Sequence, residues 1–450
     1  MNFADLFAGA GGLSLGLIRA GFEPTVACDT WSVAVDNYAR NVGDHIQTVD
    51  LANPLKVIRI LLESNVSFIA GGPPCQDFSA AGGRQEGENA SLTLAFSSIV
   101  VSVRPSWFLM ENVILAESSE AWQAAYAMFK AAGYGLSVLK IDCSLYGVPQ
   151  VRRRLFLIGR LGERDGFLDT AVRDVAAAKS MTLRDLFGDA TPPAVYFAPR
   201  MLGKRAVFSA HEPAPTIRSA SARPIPQRYK PHPEDAFLVE NGYVYSRPLH
   251  GGRGVRSIDE PMATITRTSW ERPTPRYLNN PHPSDAVCAS DTAVLTMRQV
   301  ARIQGFPEHY EWRASAKRDI YQMIANAVPA PVAQAIGQVI LARHRGENIP
   351  VAESRFVRWL QRRGKSPASA RKIKSHVNRA RRLLRGRMLA EPTAEIAMLQ
   401  ANPDFALLTG STKSALRQAL LLYAEFLDSK DKRRKRLRPP EMPTGAKKAT

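Results

Sequence analysis

Over its first 160 residues the chain alternates short apolar runs with stretches of helical periodicity, and this alternation constrains the fold more than any other feature. Residues 3–7 read as a strand, followed by a Gly-rich turn and a helix over about 13–20. Residues 25–28, 67–70, 107–110 and 154–158 read as further strands, with helices between them, as at 92–103 and 121–132. Strands joined by crossover helices require a mostly parallel sheet covered on both faces. Residues 190–290 break the pattern: proline is frequent, strands are short and helical periodicity is absent. An internal echo lies there, HEPAPTI at 211–217 against DEPMATI at 259–265. Helical periodicity returns at 296–304 and 320–342, and again at 353–362, 366–384 and 412–426.

Charge is placed unevenly. The net charge is +19, and residues 351–450 hold 24 Lys and Arg against 8 Asp and Glu, so sixteen of those charges sit in the last hundred residues. Such a block is an electrostatic footprint for a polyanion, nucleic acid being the usual one, although a basic segment is also compatible with simple solvation. No run of about 18 apolar residues appears, so no membrane span is expected, and the N-terminus enters a strand directly, without the pattern of a signal peptide. The four cysteines, Cys28, Cys75, Cys143 and Cys288, form no CxxC pair. That argues against a disulfide framework or a zinc site, and for a reducing compartment.

Several segments carry chemistry. GGPPCQDFS at 71–79 displays Cys75 after two prolines, which cannot continue a helix or a central strand. A thiol held at the C-terminal edge of a strand is placed for nucleophilic attack, whereas a lone cysteine is also compatible with a small buried hydrophobe. DLFAGAGG at 5–12 puts Gly9, Gly11 and Gly12 between a strand and a helix. There the backbone can approach a ligand closely, or simply turn tightly; the spacing is not that of a dinucleotide loop. Asp29 ends the second strand, where a carboxylate suits ribose hydroxyls. Asp50 follows Thr48-Val49 and suits an adenine amine. As a single residue, each reads first as an ordinary surface carboxylate. Glu111-Asn112-Val113 follows a strand at the same edge as Cys75. In QVRRR at 150–154, strand alternation puts Arg152 and Arg154 on one face, the alternative being a solvated basic edge.

The order of FAGAGG, GGPPCQDFS, ENV, QVRRR, RQVARIQGFP (298–307) and IANAVPAPVA (324–333) strongly resembles the DNA (cytosine-5) methyltransferase family over about residues 3–340. The resemblance implies an α/β, S-adenosylmethionine-dependent (Rossmann-like) methyltransferase sheet. It adds a small, mostly β and loop target-recognition domain, and the chain continues into an α-helical C-terminal extension. The implied boundaries are a catalytic domain at 1–188 completed by 310–345, target recognition and the following motif at 189–309, a helical basic domain at 351–430, and a disordered basic tail at 431–450.

By the same resemblance Cys75 is the nucleophile, with Glu111, Arg152 and Arg154 around the base. Phe7, Gly9, Gly11, Gly12, Asp29, Thr30, Asp50, Pro73, Asn326 and Val328 would hold S-adenosylmethionine; no metal is implied. The family's acid after the second strand is usually Glu, and the aromatic that often follows it is Thr30 here, with Trp31 one place later. Residues 76–90, with Gly82, Gly83 and Gly87, look like a loop that closes on DNA. Sequence choice would fall to Thr216 or Thr264, each followed by isoleucine, with Thr264-Ile265 favoured, and to Arg218, Arg223, Arg253, Arg256 and Arg267 nearby.

The implied partners are double-stranded DNA and a cognate restriction endonuclease acting on the same site, with the enzyme a monomer in a bacterial cytoplasm, at the nucleoid. An RNA cytosine methyltransferase and a DNA-binding regulator without catalysis are the competing readings. The segment 356–384 with 414–427 resembles the helical core-binding domain of tyrosine recombinases, without any recombinase catalytic signature after it.

Overall fold

The computed structural model describes residues 1–74, 88–188, 194–196, 207–209, 211–216, 243–245, 255–257, 296–347 and 349–437. Cys75, residues 76–87, Ile217, Arg218, Arg223, Arg253, Thr264, Ile265, Arg267 and the tail from 438 onward lie outside the described residues. The chain divides into two compact units, Met1–Leu161 with Gly166–Leu341, and Gly162–Asp165 with Ala342–Thr450.

The first unit is built on strands β1 (Asn2–Leu6), β2 (Glu23–Asp29), β3 (Ile46–Thr48), β4 (Phe68–Gly71), β5 (Trp107–Asn112), β6 (Tyr134–Asp142), β7 (Gln150–Val151) and β8 (Arg153–Leu161). Seven of them form one sheet in the order β3-β2-β1-β4-β5-β8-β6. The pairings from β3 through β5 are parallel, and β8 runs antiparallel to both neighbours. The expected parallel sheet is therefore present with one reversed strand. Glu111 and Asn112 belong to β5 itself, whereas the sequence reading placed them after a strand ending at 110.

Both faces are covered. Along β5, Phe108 and Met110 pack with Ile99, Val100, Trp122 and Phe129 on one side. Trp107 and Leu109 pack with Leu13, Leu17, Val332, Ile336 and Ile340 on the other. A strand buried on both faces reads as an unbroken apolar run, which is why 107–110 stood out in sequence.

The helical reading of 320–342 resolves into two helices, Lys317–Asn326 and Ala330–Arg345. Pro329 supplies no N–H and pushes the preceding residue out of helical conformation, so the chain breaks there. By length and composition alone Lys317–Arg345 would pass for a membrane span, but it is broken into two helices and 67% of its most apolar stretch is buried inside the protein, as befits core helices, so the expectation of no membrane span is not overturned. Residues 88–90, read as loop, open the helix Glu88–Val103.

The second unit holds the helices Ser354–Arg362, Pro367–Leu383, Pro392–Gln400, Pro403–Ala406 and Gly410–Leu437. Proline at the first position of three of them fits the helix start, where no N–H is needed. Phe356, Leu360, Val377, Tyr423 and Phe426 form one core cluster, and Leu384, Leu399, Phe405, Leu416 and Leu420 another. The last helix runs to Leu437, so residues 431–437, read as disordered tail, are helical.

Candidate active site

The C-terminal ends of β1, β2 and β3 are tied together by backbone and carboxylate hydrogen bonds. After β1 the chain turns through Phe7 and Gly9 with φ of 61° and 53°, then through Gly11 at 81°. The left-handed conformation is nearly free only for glycine, so the GAGG spacing is what lets the loop re-enter a helix at once. Asp29 holds this loop: Oδ2 accepts from Gly9 N at 2.7 Å and Oδ1 from Trp31 N at 2.8 Å. Burial pushes its carboxyl above the usual range, and the N–H groups of Trp31, Gly9 and Thr30 oppose that rise. Each oxygen keeps a lone pair beyond these bonds. Val49 N donates to Asp29 O at 2.9 Å, bringing Asp50 to the same edge; Asp50 is exposed, with Oδ1 accepting from Ala52 N at 2.9 Å. Thr30 is exposed beside it.

The remaining motifs converge on β4 and β5. A Cβ placed on Gly12 would lie 2.5 Å from Val328 O, so the start of the first helix rests directly on the segment after Asn326. A Cβ on Gly72 would lie 3.3 Å from Glu111 Oε2 and 3.9 Å from Val328 Cγ2. Asn112 Nδ2 donates to Pro73 O at 3.4 Å, fixing the chain two residues before Cys75. Asn326 is exposed, its Oδ1 accepting from Gln322 Nε2 at 2.8 Å.

Glu111 is buried, and Arg154 Nε lies 3.0 Å from its Oε1. Burial raises the Glu111 carboxyl, while Arg154 and then Arg152 pull it down; burial prevails. Arg152 is 2% exposed, and its Nη2 donates to Ala327 O at 3.2 Å. Arg153 between them turns outward, its side chain 75% exposed. The alternation read from QVRRR is therefore real, and the solvated-edge reading fails at Arg152. Cys143 lies close enough to feel both arginines, yet burial pushes its thiol up to about 12, leaving it a neutral core group.

The sequence reading missed the groups that join these motifs. Gln150 Nε2 donates to Gln304 Oε1 at 3.0 Å, and Gln304 Nε2 donates to Ile324 O at 2.8 Å. A glutamine inside each of QVRRR and RIQGFP was the available signal. Tyr310 OH donates to Ala10 O at 2.7 Å, closing the Gly-rich loop from the other side. Beneath that loop, Ser14 Oγ donates to Asp5 Oδ2 at 2.6 Å and Tyr38 OH donates to Ser14 Oγ at 2.8 Å. Tyr38 OH also lies 2.9 Å from His45 Nε2. Of the recognition candidates, Thr216 is described: it donates to Val151 O just after a short strand, Ala214–Pro215, that pairs parallel with β7.

A family model described as C-5 cytosine-specific DNA methylase matches residues 1–342. Type II methyltransferase M.HindV of Haemophilus influenzae is 34% identical over 343 residues, covering 76% of this chain and 96% of the relative. Type II methyltransferase M.HgiDI of Herpetosiphon aurantiacus is 43% identical over 251 residues, covering 55% of this chain and 80% of the relative. In fold, the chain is similar to the S. pombe Dnmt2 methyltransferase, with a TM-score of 0.51 at 17% identity over 76% of this chain and 98% of that one. With its motifs gathered at one sheet edge and matched over three-quarters of its length, the chain belongs to the C-5 cytosine-specific DNA methylase family and is a DNA cytosine-5 methyltransferase.

Proposed function

We propose that the enzyme methylates carbon 5 of a cytosine flipped out of a short, specific sequence of duplex DNA, through a covalent adduct of Cys75 at carbon 6. The observation that carries this reading is the buried Glu111–Arg154 pair, 3.0 Å apart, beside Gly72, which lies three residues before Cys75 in the chain. Carbon 5 of cytosine is a poor nucleophile. Attack by the Cys75 thiolate forms the S–C6 bond and pushes the ring electrons toward carbon 5. Glu111, whose burial favours the protonated form, hydrogen-bonds the N3 and amine edge and stabilises the added ring. Arg154 serves the carbonyl edge, and Arg152 fixes the Ala327 segment. After methylation, loss of the carbon-5 proton to a base and breakage of the S–C6 bond restore the aromatic ring. A stacked base offers none of these approaches, so the cytosine must leave the duplex.

S-adenosylmethionine is the methyl donor of this reading, and the residues fit it. It is assigned to the loop of Phe7, Gly9, Gly11 and Gly12, the carboxylates of Asp29 and Asp50, and Thr30, Pro73, Asn326 and Val328, which between them offer apolar and acceptor groups. When bound, it supplies a methyl group activated on a positively charged sulfur. Sequence choice falls to the segment holding Thr216, Arg218, Arg253, Thr264 and Arg267. A cognate restriction endonuclease with the same site, a monomeric enzyme and a bacterial cytoplasmic setting complete the reading.

Bisulfite sequencing of a plasmid carrying the gene in a methylation-free bacterial host tests it. Protected cytosines recurring in one short motif, confirmed as 5-methylcytosine by mass spectrometry, are expected, and Cys75→Ser should abolish them while DNA binding persists. Substantial turnover in Cys75→Ser would refute the covalent route. Absence of protection, with methylated cytosine in RNA instead, would transfer the substrate to RNA.

A further inference from the structure

The second unit neutralises its buried charges internally. Arg381 pairs with Glu395, each side chain 4% exposed, and Arg387 pairs with Glu163. Three more acids are taken at the surface: Glu353 by Lys430, Glu425 by Arg363 and Asp428 by Arg164. The helix Pro367–Leu383 contains no acidic residue. Its Ala370, Ile373, Val377 and Ala380 face the core. At 3.6 residues per turn the opposite face carries Arg371, Lys372, Ser375, Arg379 and Arg382, all exposed. Among the described residues, those four basic side chains make no ion pair or hydrogen bond. Their field is felt locally: the His376 imidazole is held below its ordinary pKa first by burial, then by Lys372 and Arg379.

We propose that this face is a second duplex-DNA surface, which binds phosphates without reading sequence. From Arg371 to Arg382 the stripe extends about 16 Å at about 1.5 Å per residue. A duplex carries one phosphate charge per about 1.7 Å of axis, so about nine charges lie along that length. The face has no large apolar side chain to enter a lipid surface. It rests on the DNA substrate of the proposed function: a site working on one duplex raises the local concentration of the same polyanion for a tethered basic face. The gain is in encounter and retention, since phosphate contacts position a protein without specifying sequence.

The test is the full-length variant Arg371→Gln/Lys372→Gln/Arg379→Gln/Arg382→Gln, with Lys56→Gln/Arg59→Gln, two exposed positions on the helix Pro54–Glu63 of the first unit, as control. Binding to a duplex lacking the target sequence is measured across salt concentrations. Each lost phosphate contact should flatten the log–log slope by about 0.9, up to roughly 3.6 for four, and low-salt affinity should fall at least about tenfold. The methylated sequence and the melting temperature should stay those of the parent, because the four side chains are exposed and unpaired. An unchanged slope in a variant that melts normally overturns the proposal, as does an equal loss in the control. Tighter binding of structured RNA than duplex DNA through the same four residues also overturns it. The parent's own methylation pattern separates the two ideas: a parent that methylates DNA with a variant of unaltered slope sinks only this surface, whereas a parent that methylates no DNA sinks the function.

Discussion

Asp5 should make the protein less stable as pH rises from 5 to 8, and Asp5→Asn should remove that dependence. Asp5 is fully buried beneath the Gly-rich loop. Burial raises its carboxyl from 3.8 to about 7; the Ser14 hydroxyl opposes the rise and the Asp29 charge adds to it. The native state therefore holds a proton that the unfolded chain has already released. Stability is fully present below the unfolded value and is lost as pH climbs through the folded one. The whole gap is worth roughly 4 kcal/mol at about 1.4 kcal/mol per pH unit, and the part falling between pH 5 and 8 is roughly 2–3 kcal/mol. In Asp5→Asn the carbonyl still accepts from Ser14. The amide takes the place of Oδ1, which has no hydrogen-bond partner. An unpaired buried amide costs about 1–3 kcal/mol, equally at every pH. Urea unfolding of both proteins at pH 5, 6, 7 and 8 gives the difference directly. The variant should be the weaker protein at pH 5 and gain on the parent by roughly 2–3 kcal/mol by pH 8. A difference that stays flat to within about 0.5 kcal/mol would show that Asp5 ionises in the native state as it does in water.

Arg381→Met should strip Glu395 of its buried partner and cost about 3–5 kcal/mol, seen as early melting of helical signal, while Arg381→Met/Glu395→Leu should recover most of the loss. Gly12→Ala should cost about 1–3 kcal/mol in thermal denaturation, because its methyl would meet Val328 O at 2.5 Å and force the first helix off the 326–328 segment; a variant melting with the parent would mean that the segment yields freely. Cys28 and Cys143 are both buried with thiols pushed up to about 12. A thiol reagent at pH 8 should therefore titrate at most two of the four cysteines before denaturant is added, and a third fast-reacting thiol would contradict the burial.

Much of the site was legible because its residues are constrained by chemistry at fixed offsets: a proline pair before a cysteine, glycines between strand and helix, arginines at alternate positions. What joins those motifs was not legible. The Gln150–Gln304 bond spans 154 residues and the Arg152–Ala327 bond 175, and no local pattern records such a pairing. Strand direction was hidden as well, since β8 would show the same apolar run whether parallel or reversed. β6, YGLSVLKID, escaped because Gly, Ser and Lys interrupt its apolar positions. The join of 317–326 and 330–345 into one helix came from weighing apolar spacing above Pro329. In the second unit, Pro392–Gln400 spreads its apolar residues around the helix instead of along one stripe, and Pro403–Ala406 is too short for periodicity to declare it.

The helical unit is discontinuous in sequence, for it includes Gly162–Asp165. Glu163 is 1% exposed; it forms a β-bridge with Leu389, accepts from Met388 N at 2.7 Å and pairs with Arg387. A gene fragment beginning at residue 342 would thus encode the five helices but omit the acid around which the 387–389 turn is organised. The unit is not a cassette that could be transplanted by simple end-to-end fusion. Any graft onto another protein must carry the GERD tetrapeptide with it, or replace Arg387 by an uncharged residue.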